Sequence, residues 1–415
     1  MVHYRDAADS GGSLRVGETI ANNLDPDKVA AEMVFAYGGP GTVAKHARVP
    51  CHYLYARGPK DFSAWLRARA VFRELKPDIV HFQDAVVWLR AALLASSYRN
   101  IVHVHGRYEK NSPSTTGQSH PFRASNLFHA YLKLTDAQVF ISSNARKSML
   151  DLGWISNERS YVIYNAIDLA RREVTAAKSE ARVSLGLPRD AKLLGMVCRL
   201  VKEKGCADLL SIVAKLPARW HGVICGEGPE RRRLQEEAAA RSMADRIPFL
   251  GCQEDVTPVY SAIDAYAFLS TYEPFGLVIA EAMAARVPVF AVMADGEYAE
   301  QEYPLVTPKT AIMVHGGRDS QLRLIEPAIN QLVSELEQFG NHPEKYRQLT
   351  DRARIWVAGC FDGSIQAEAM TRVYEDLCGQ TSTREISLGD WYDHKRRAAE
   401  ELILTNGHLK AVASV

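Results

Sequence analysis

The sequence is poor in the features that mark membrane-spanning, secreted or strongly charged proteins. Its 415 residues contain no apolar stretch that approaches the ~20 residues needed to cross a bilayer. The first residues do not resemble a secretory signal, in which a basic segment precedes an apolar one. The net charge of +1 gives no strong average attraction to nucleic acid or to acidic membranes. We therefore expect a cytoplasmic protein, and peripheral contact with a membrane stays open.

The cysteines do not indicate a secreted, disulfide-bonded protein either. There are seven, an odd number, scattered from Cys51 to Cys378 without a C-x-x-C pair. Several lie in apolar, strand-like runs, where a free thiol behaves as a small buried apolar group. We expect free thiols in a reducing compartment.

What the sequence does contain is the composition of an ordinary globular protein. Hydrophobic residues make up 47% and charged residues 24% of the chain, so a large core can form. The length predicts two or three domains.

Short strand-like runs alternate with longer helix-like runs along most of the chain. The predicted strands cover residues 33–37, 52–55, 78–82, 101–105, 137–142, 193–198, 222–225, 247–250, 265–269, 287–292 and 311–314. The predicted helices cover residues 62–75, 86–96, 123–134, 143–152, 208–216, 230–242, 256–262, 277–285, 366–378 and 392–404. This alternation predicts an α/β fold of two doubly wound domains, with ligands at the carboxyl ends of parallel strands.

Two carboxylates eight residues apart flank the start of the helix predicted at 277–285. Gly276 precedes this helix, Glu273 lies on the loop before it, and Glu281 lies one turn inside. The backbone N–H groups of a helix start favour an anion such as phosphate. The two carboxylates could then contact a sugar and a ribose attached to that phosphate. Two solvated glutamates near a helix start are the alternative interpretation.

Two cations follow the first strand of the second half. Arg199 and Lys204 are five residues apart and can converge on one diphosphate, the arginine through paired hydrogen bonds and the lysine as a point charge. A solvated basic loop is the alternative. The run Cys-Gly-Glu-Gly-Pro-Glu at 225–230 ends the next strand and opens a helix. Its glycines, Gly226 among them, allow a tight turn and close approach of the backbone.

The first half contains two histidines at a strand end, and the paired glycines Gly11 and Gly12 before a helix-like run. His103 and His105 alternate at the end of a predicted strand, which places both on one face. A metal site or structural histidines are the alternatives, but nothing nearby in the sequence completes a ligand set. Asp25-Pro-Asp27 has no strand context and reads as a turn, so we expect no obligatory metal.

Together these motifs resemble those of retaining GT-B glycosyltransferases, in particular family 4 (glycosyl transferases group 1). Residues 273–281 resemble the E-x7-E motif, residues 198–205 resemble the G-R-L-x-x-x-K-G signature, and His105-Gly106 resembles the H-G element. This chain departs from the pattern where it has Arg286, and again at Asp295, because the family more often has glycine there.

The resemblance implies a GT-B fold, in which two Rossmann-like domains face each other across a cleft. It implies an N-terminal acceptor-binding domain at residues 1–170, to which a C-terminal helical region at about 365–415 crosses back. It implies a nucleotide-sugar-binding domain at residues 186–360.

The resemblance also implies transfer of a hexose-type sugar from a nucleoside diphosphate to an acceptor hydroxyl, with retention of anomeric configuration. A UDP-sugar is the expected donor, and guanine and adenine nucleotides are the alternatives. The implied catalytic residues are Glu273, His105, Arg199 and Lys204. The implied donor-binding residues are Gly11, Gly12, Arg199, Lys204, Gly226, Leu250, Phe275, Gly276, Leu277 and Glu281.

The acceptor is not named by any motif. A lipid-linked sugar, an aglycone and a growing polysaccharide are the candidates, and the polar segment 110–120 is a candidate acceptor loop. The rival functions are a disaccharide phosphorylase or a sugar epimerase on the same fold, and a two-lobed sugar-binding protein without catalysis.

Overall fold

The computed structural model describes residues 2–6, 12–83, 89, 97–106, 126–171, 176–271, 273–293, 305–379 and 387–405. Gly11, Asp295, the candidate acceptor loop at 110–120 and, except for residue 89, the predicted helix at 86–96 lie outside these ranges. The chain folds into two compact units. The first comprises Met1–Asp168 with Phe361–His394, and the second comprises Leu169–Cys360 with Lys395–Val415.

The first unit contains a seven-stranded parallel sheet with the order β3-β2-β1-β4-β5-β6-β7. Its strands are β1 (Val2–Asp6), β2 (Met33–Tyr37), β3 (Cys51–Tyr53), β4 (Ile79–Gln83), β5 (Arg99–Val104), β6 (Ala137–Phe140) and β7 (Ser160–Val162). The first six follow the strand order of the Rossmann fold, and β7 adds an edge. The strand at the start of the chain lies in the middle of this sheet, since Val2 pairs with both Val34 and Phe82.

The described residues that precede the second unit contain five helices. They are α1 (Gly12–Asn23), α2 (Thr42–His46), α3 (Phe62–Leu75), α4 (Asn126–Lys133) and α5 (Ser143–Asp151). Local chemistry sets the bounds of α3. The Asp61 side chain accepts a hydrogen bond from the Ala64 N–H at 3.1 Å, and Lys76 ends the helix in the left-handed conformation. The buried residues Ala64, Ala68 and Phe72 recur at every fourth position and form the face that packs on the sheet.

The second unit contains a six-stranded parallel sheet with the order β10-β9-β8-β11-β12-β13. Its strands are β8 (Lys192–Val197), β9 (Trp220–Cys225), β10 (Phe249–Gly251), β11 (Ala265–Phe268), β12 (Val289–Met293) and β13 (Ile312–His315). Its helices are α6 (Lys178–Ser184), α7 (Cys206–Lys215), α8 (Arg231–Ala240), α9 (Thr257–Ala262), α10 (Leu277–Ala284), α11 (Glu326–Asn341) and α12 (Arg347–Cys360). Every residue of β12 is buried, as expected for a parallel strand covered on both faces.

The last two helices among the described residues are α13 (Gly363–Leu377) and α14 (Leu388–Leu404). In the first unit α13 packs closely on α1, because a Cβ on Gly363 would lie 2.6 Å from the Asn23 side chain. Residues 395–404 of α14 group with the second unit, whereas the resemblance assigns the whole C-terminal helical region to the first.

The predicted strands and helices that lie within the described residues are present, with bounds shifted by a few residues. The alternation does not single out α11 and α12, because these helices follow one another without a strand between them. Among the described residues, no helix combines the length and the apolar character that a membrane span requires.

Candidate functional site

Three predicted site residues of the second unit follow the two strands between which its strand order reverses. The strands β8 and β11 are neighbours, but the chain leaves β8 towards β9 and β10 and returns at β11 to build the other half. The loops after such a pair of strands diverge and leave a crevice in which ligands bind. Arg199 and Lys204 follow β8, and Glu273 follows β11. These residues therefore lie where this fold places its ligand.

The loop after β8 is held close to the chain that follows β11. Lys202–Lys204 form a short 3-10 helix, which ends at Gly205 with a φ of 71°. A Cβ on Gly205 would lie 2.4 Å from the carbonyl oxygen of Leu269, so only glycine fits this approach. The N–H of Thr271 donates to the carbonyl oxygen of Glu203 at 2.8 Å. Lys204 is thus positioned by contacts on both of its sides.

A glycine turn after β9 packs on the same loop. Gly226 has a φ of 137°, and a Cβ there would lie 1.9 Å from the carbonyl oxygen of Cys198. The N–H of Leu200 donates to the carbonyl oxygen of Glu227 at 2.8 Å, and the N–H of Gly226 donates to that of Gly251 at 2.7 Å. The turn after β9 is therefore hydrogen-bonded both to the loop after β8 and to the end of β10, the strand that contains Leu250.

Lys204 and Glu273 contact each other. The Lys204 Nζ lies 2.6 Å from the Glu273 Oε2, and the two side chains are only 21% and 14% exposed. Burial lowers the pKa of Lys204, but the charge and hydrogen bond of Glu273 outweigh it and hold this pKa above its ordinary value. Arg199, whose own side chain is exposed, is near enough to act on the same pKa in the lowering direction. The site thus keeps a charged lysine beside a carboxylate.

The start of α10 lies beside Glu273. Gly276 precedes this helix with a φ of 89°, and a Cβ there would lie 3.2 Å from the Glu273 Cγ. Phe275 is buried, and Leu277 is the first residue of the helix. The first turn of α10 contains no acidic residue, so the partial positive charge of its N–H groups is not offset within that turn.

Glu281 is buried one turn further into α10, at 8% exposure. The Tyr260 hydroxyl lies 3.0 Å from the Glu281 Oε2 and 3.1 Å from the carbonyl oxygen of Val278. Tyr260 lies on α9, so this hydroxyl links two helices. The sequence predicts the helix that contains Tyr260 but does not pair this side chain with Glu281.

A buried ion pair lies near the start of α7 and is hydrogen-bonded to the chain after β11. The Asp208 Oδ2 accepts from the Arg318 Nη1 at 2.8 Å, and the Arg318 Nη2 donates to the carbonyl oxygen of Leu269 at 2.6 Å. Burial raises the pKa of the Asp208 carboxyl, against the opposing effects of the Leu324 N–H and of Arg318. These residues are 110 positions apart in the chain, and no sequence motif points to their contact.

The remaining predicted site residues belong to the first unit. His105 directly follows β5, and its Nε2 lies 2.8 Å from the Gln83 Oε1. Its ring stacks on that of His103, at 4.6 Å between centroids, and His103 stacks on His81 at 5.3 Å. Gly12 is the exposed first residue of α1.

His103 has the environment of a core residue. It is fully buried, and within the described part of the chain neither ring nitrogen has a hydrogen-bond partner. Burial, with smaller effects of His105 and His81, holds the pKa of His103 well below its ordinary value. No three His, Cys, Asp or Glu residues of the described ranges are grouped so as to hold a metal ion.

The chain is similar to two known families of glycosyltransferases. Residues 177–356 match the glycosyl transferases group 1, and residues 10–171 match the glycosyltransferase family 4. The two matches cover most of the sequence, and the chain belongs to these glycosyltransferases.

Among curated proteins, two similar relatives come from Rhizobium meliloti. The lipopolysaccharide core biosynthesis glycosyltransferase LpsE is 30% identical over 232 residues, which is 56% of this chain and 60% of LpsE. The lipopolysaccharide core biosynthesis mannosyltransferase LpsB is 37% identical over 225 residues, 52% of this chain and 60% of LpsB. The match with this chain thus extends over 60% of the length of each of these two relatives.

Solved structures show the same fold. Anabaena HepE, in a complex with UDP and glucose, is similar with a TM-score of 0.70 at 21% identity, over 90% of this chain and 99% of HepE. The sucrose-phosphate synthase of Thermosynechococcus elongatus gives a TM-score of 0.70 at 18% identity, over 92% and 99% of the two chains. The α/β, GT-B fold class expected from the sequence is confirmed.

Proposed function

We propose that this protein is a glycosyltransferase that moves a hexose-type sugar from a nucleoside diphosphate to an acceptor hydroxyl. One observation supports this most strongly. A charged lysine, Lys204, contacts a carboxylate, Glu273, beside the start of α10 and at the strand-order reversal of a Rossmann sheet. A cation and a helix start suit the two phosphates, while a carboxylate suits the hydroxyls of the attached sugar.

The proposed chemistry assigns one task to each side chain. Breaking the sugar–phosphate bond leaves negative charge on the diphosphate, and Arg199 and Lys204 neutralise it. When the diphosphate binds, Lys204 exchanges its contact with Glu273 for one with a phosphate oxygen. The Glu273 carboxylate then orients hydroxyls of the donor sugar, and Glu281 holds the ribose.

Retention of the anomeric configuration is part of this proposal. The acceptor hydroxyl attacks on the face from which the diphosphate leaves, and a phosphate oxygen takes its proton. Glu273 steadies the positive charge that develops on the sugar without a stable covalent bond to it. His105 of the first unit is proposed to contact the donor sugar, and no metal ion is assigned a role.

A UDP-sugar is the proposed donor. HepE, which shares the fold, has been crystallised with UDP-glucose, whereas LpsB is named a mannosyltransferase. Glucose and mannose are both hexoses. We propose that the chain after Leu250 contacts the base, in a segment where the Gln253 side chain donates to the Leu250 carbonyl oxygen at 2.7 Å.

The proposed acceptor is a growing bacterial surface polysaccharide or its lipid-linked precursor. LpsE and LpsB are both named for lipopolysaccharide core biosynthesis, and this shared setting supports the proposal.

The donor is tested by calorimetry and a turnover panel. The full chain is titrated with UDP, GDP and ADP, and hydrolysis of UDP-, GDP- and ADP-hexoses is followed by release of the diphosphate. We expect the chain to bind one of the three nucleoside diphosphates and to hydrolyse the corresponding nucleoside diphosphate hexose slowly. If the chain binds none of the three and instead splits a disaccharide with inorganic phosphate, it is a phosphorylase and the proposal is wrong. Sugar binding without any turnover would indicate a non-catalytic protein.

A further inference from the structure

Two thiols contact each other at the base of the loop that contains Arg199 and Lys204. The Cys198 Sγ lies 3.3 Å from the Cys206 Sγ. Cys198 directly follows β8, and Cys206 is the first residue of α7. A disulfide bond is about 2.05 Å long, so the two thiols are in contact but not bonded.

We propose that Cys198 and Cys206 form a reversible disulfide that regulates donor binding, an inference that rests on the function proposed above. The bond would close a small ring over residues 198–206. This ring contains both cations assigned to the diphosphate. Oxidation of the pair therefore acts on the part of the site that must be placed most accurately.

The two thiols differ in access, which orders the chemistry. Cys198 is partly exposed, whereas Cys206 is buried. The hydrogen bond to Cys198, together with burial, raises the pKa of the Cys206 thiol well above its ordinary value. Cys198 is thus the thiol that a reagent reaches first, and Cys206 is the one that keeps its proton until the second step.

The oxidant is a small-molecule disulfide. The Cys198 sulfur loses its proton to water, attacks one sulfur of the reagent and releases the first thiolate, which takes up a proton. The Cys206 sulfur then attacks the Cys198 sulfur of the mixed disulfide, and its proton passes to the second departing thiol. Two protein thiols lose two electrons in total, and one reagent disulfide is reduced to two thiols.

Backbone contacts hold both ends of the loop between the two cysteines. The N–H of Cys198 donates to the carbonyl oxygen of Cys225 at 3.0 Å, and Gly226 packs against the Cys198 carbonyl. On the other side, Gly205 packs against the carbonyl of Leu269. The movement must therefore fall on the two cysteine side chains and on residues 199–204 between them. A displacement of about 1 Å at such a loop can cost ~100-fold in rate.

A competing pair lies nearby. The Cys225 Sγ lies 3.6 Å from the carbonyl oxygen of Gly251, and exposed Cys252 is close enough to raise the Cys225 pKa. Burial is the larger cause of that shift and, with Cys252, raises the pKa of Cys225 to about 12. We expect Cys252 to form a mixed disulfide with the reagent, and Cys225 to stay reduced.

The test uses the full chain with oxidised glutathione as the disulfide reagent. After oxidation, free thiols are alkylated, and the bonded peptides are identified by mass spectrometry. Turnover and affinity for the nucleoside diphosphate are measured before oxidation, after it, and after reduction by dithiothreitol. The variants are Cys206→Ala and, since that site is buried, also Cys198→Ser. Cys378→Ser, at an exposed cysteine of the first unit, is the matched control.

We expect a Cys198–Cys206 peptide, at least a tenfold loss of turnover, and full recovery on reduction. In a Cys252→Ser background, which removes the mixed disulfide beside Leu250, Cys198→Ser should keep its turnover on oxidation, whereas Cys378→Ser should respond like the parent chain. Cys206→Ala should hold glutathione on Cys198 as a mixed disulfide and form no internal disulfide at this site. Free Cys198 and Cys206 thiols in protein whose Cys252 is already modified would overturn the proposal, and so would a formed disulfide without loss of turnover. A reduced chain that binds no nucleoside diphosphate would instead contradict the proposed function, whichever thiols the mass spectra show bonded.

Discussion

Replacing Lys204 with alanine tests the proposed function most directly. The Lys204 Nζ lies 2.6 Å from the Glu273 Oε2, and both side chains are largely buried. The change removes the cation that we assign to the departing diphosphate. It also leaves the Glu273 carboxylate without this partner, so an effect on stability accompanies the effect on catalysis.

The two effects have different sizes. Loss of one key charge stabiliser lowers turnover about 100-fold or more, which corresponds to roughly 3 kcal/mol. Breaking a fully buried ion pair costs about 3–5 kcal/mol of stability. Because the side chains are 21% and 14% exposed, we expect a smaller loss of ~1–3 kcal/mol in the free energy of unfolding.

Steady-state turnover, calorimetry with the nucleoside diphosphate and unfolding in urea separate these effects. The double variant Lys204→Ala with Glu273→Gln lacks the unpaired charge, so its stability should recover while its turnover stays low. Lys215→Ala is the matched control, because Lys215 is the last residue of α7 and forms an ion pair with Glu326 at the surface. Near-normal turnover of Lys204→Ala would refute the role assigned to this lysine. Recovery of turnover in the double variant would equally refute a direct role.

Three further predictions each concern a single residue. Tyr260→Phe removes the hydroxyl that lies 3.0 Å from the Glu281 Oε2. KM for the donor should then rise about tenfold, the effect of losing one hydrogen bond to a charged group, with little change in kcat. A drop in kcat alone would show that Tyr260 does not position a binding residue. Arg286→Gly should raise the free energy of unfolding by ~0.5–1 kcal/mol, because Arg286 has a φ of 57° after the end of α10, where glycine avoids the Cβ clash. The exposed ion pair of Arg286 with Asp351, at 3.1 Å, contributes little to stability. Arg286→Ala, which keeps the Cβ, should show no such gain in urea unfolding. The pKa of His103 lies well below its ordinary value in the folded state, so the unfolded chain binds the proton more readily. The free energy of unfolding should therefore fall as the pH drops below about 6.5, by at most ~1.4 kcal/mol per pH unit. His103→Phe, which keeps a stacking ring, should weaken this pH dependence, and an unchanged profile would contradict the assignment.

The parts of the fold that the sequence predicts well are those controlled by neighbours along the chain. The helix Phe62–Leu75 and the strand Met33–Tyr37 have the predicted bounds. The helix begins at the Asp61 cap and shows a four-residue apolar spacing, while the strand is a short apolar run covered on both faces. The two consecutive helices α11 and α12 interrupt the strand–helix alternation, and this criterion therefore misses them.

The sequence by itself determined the alternating elements, and with them the strand ends after which Arg199, Lys204 and Glu273 had to lie. It did so because backbone periodicity and turn chemistry are local. Only the tertiary structure decided which side chains meet. Lys204 and Glu273 are 69 residues apart, and Tyr260 and Glu281 are 21 apart on different helices. The contact between Cys198 and Cys206 likewise depends on how the intervening loop packs against the glycine turn after β9. Such contacts depend on strand order and on distances of a few ångströms, which the linear spacing of residues does not contain.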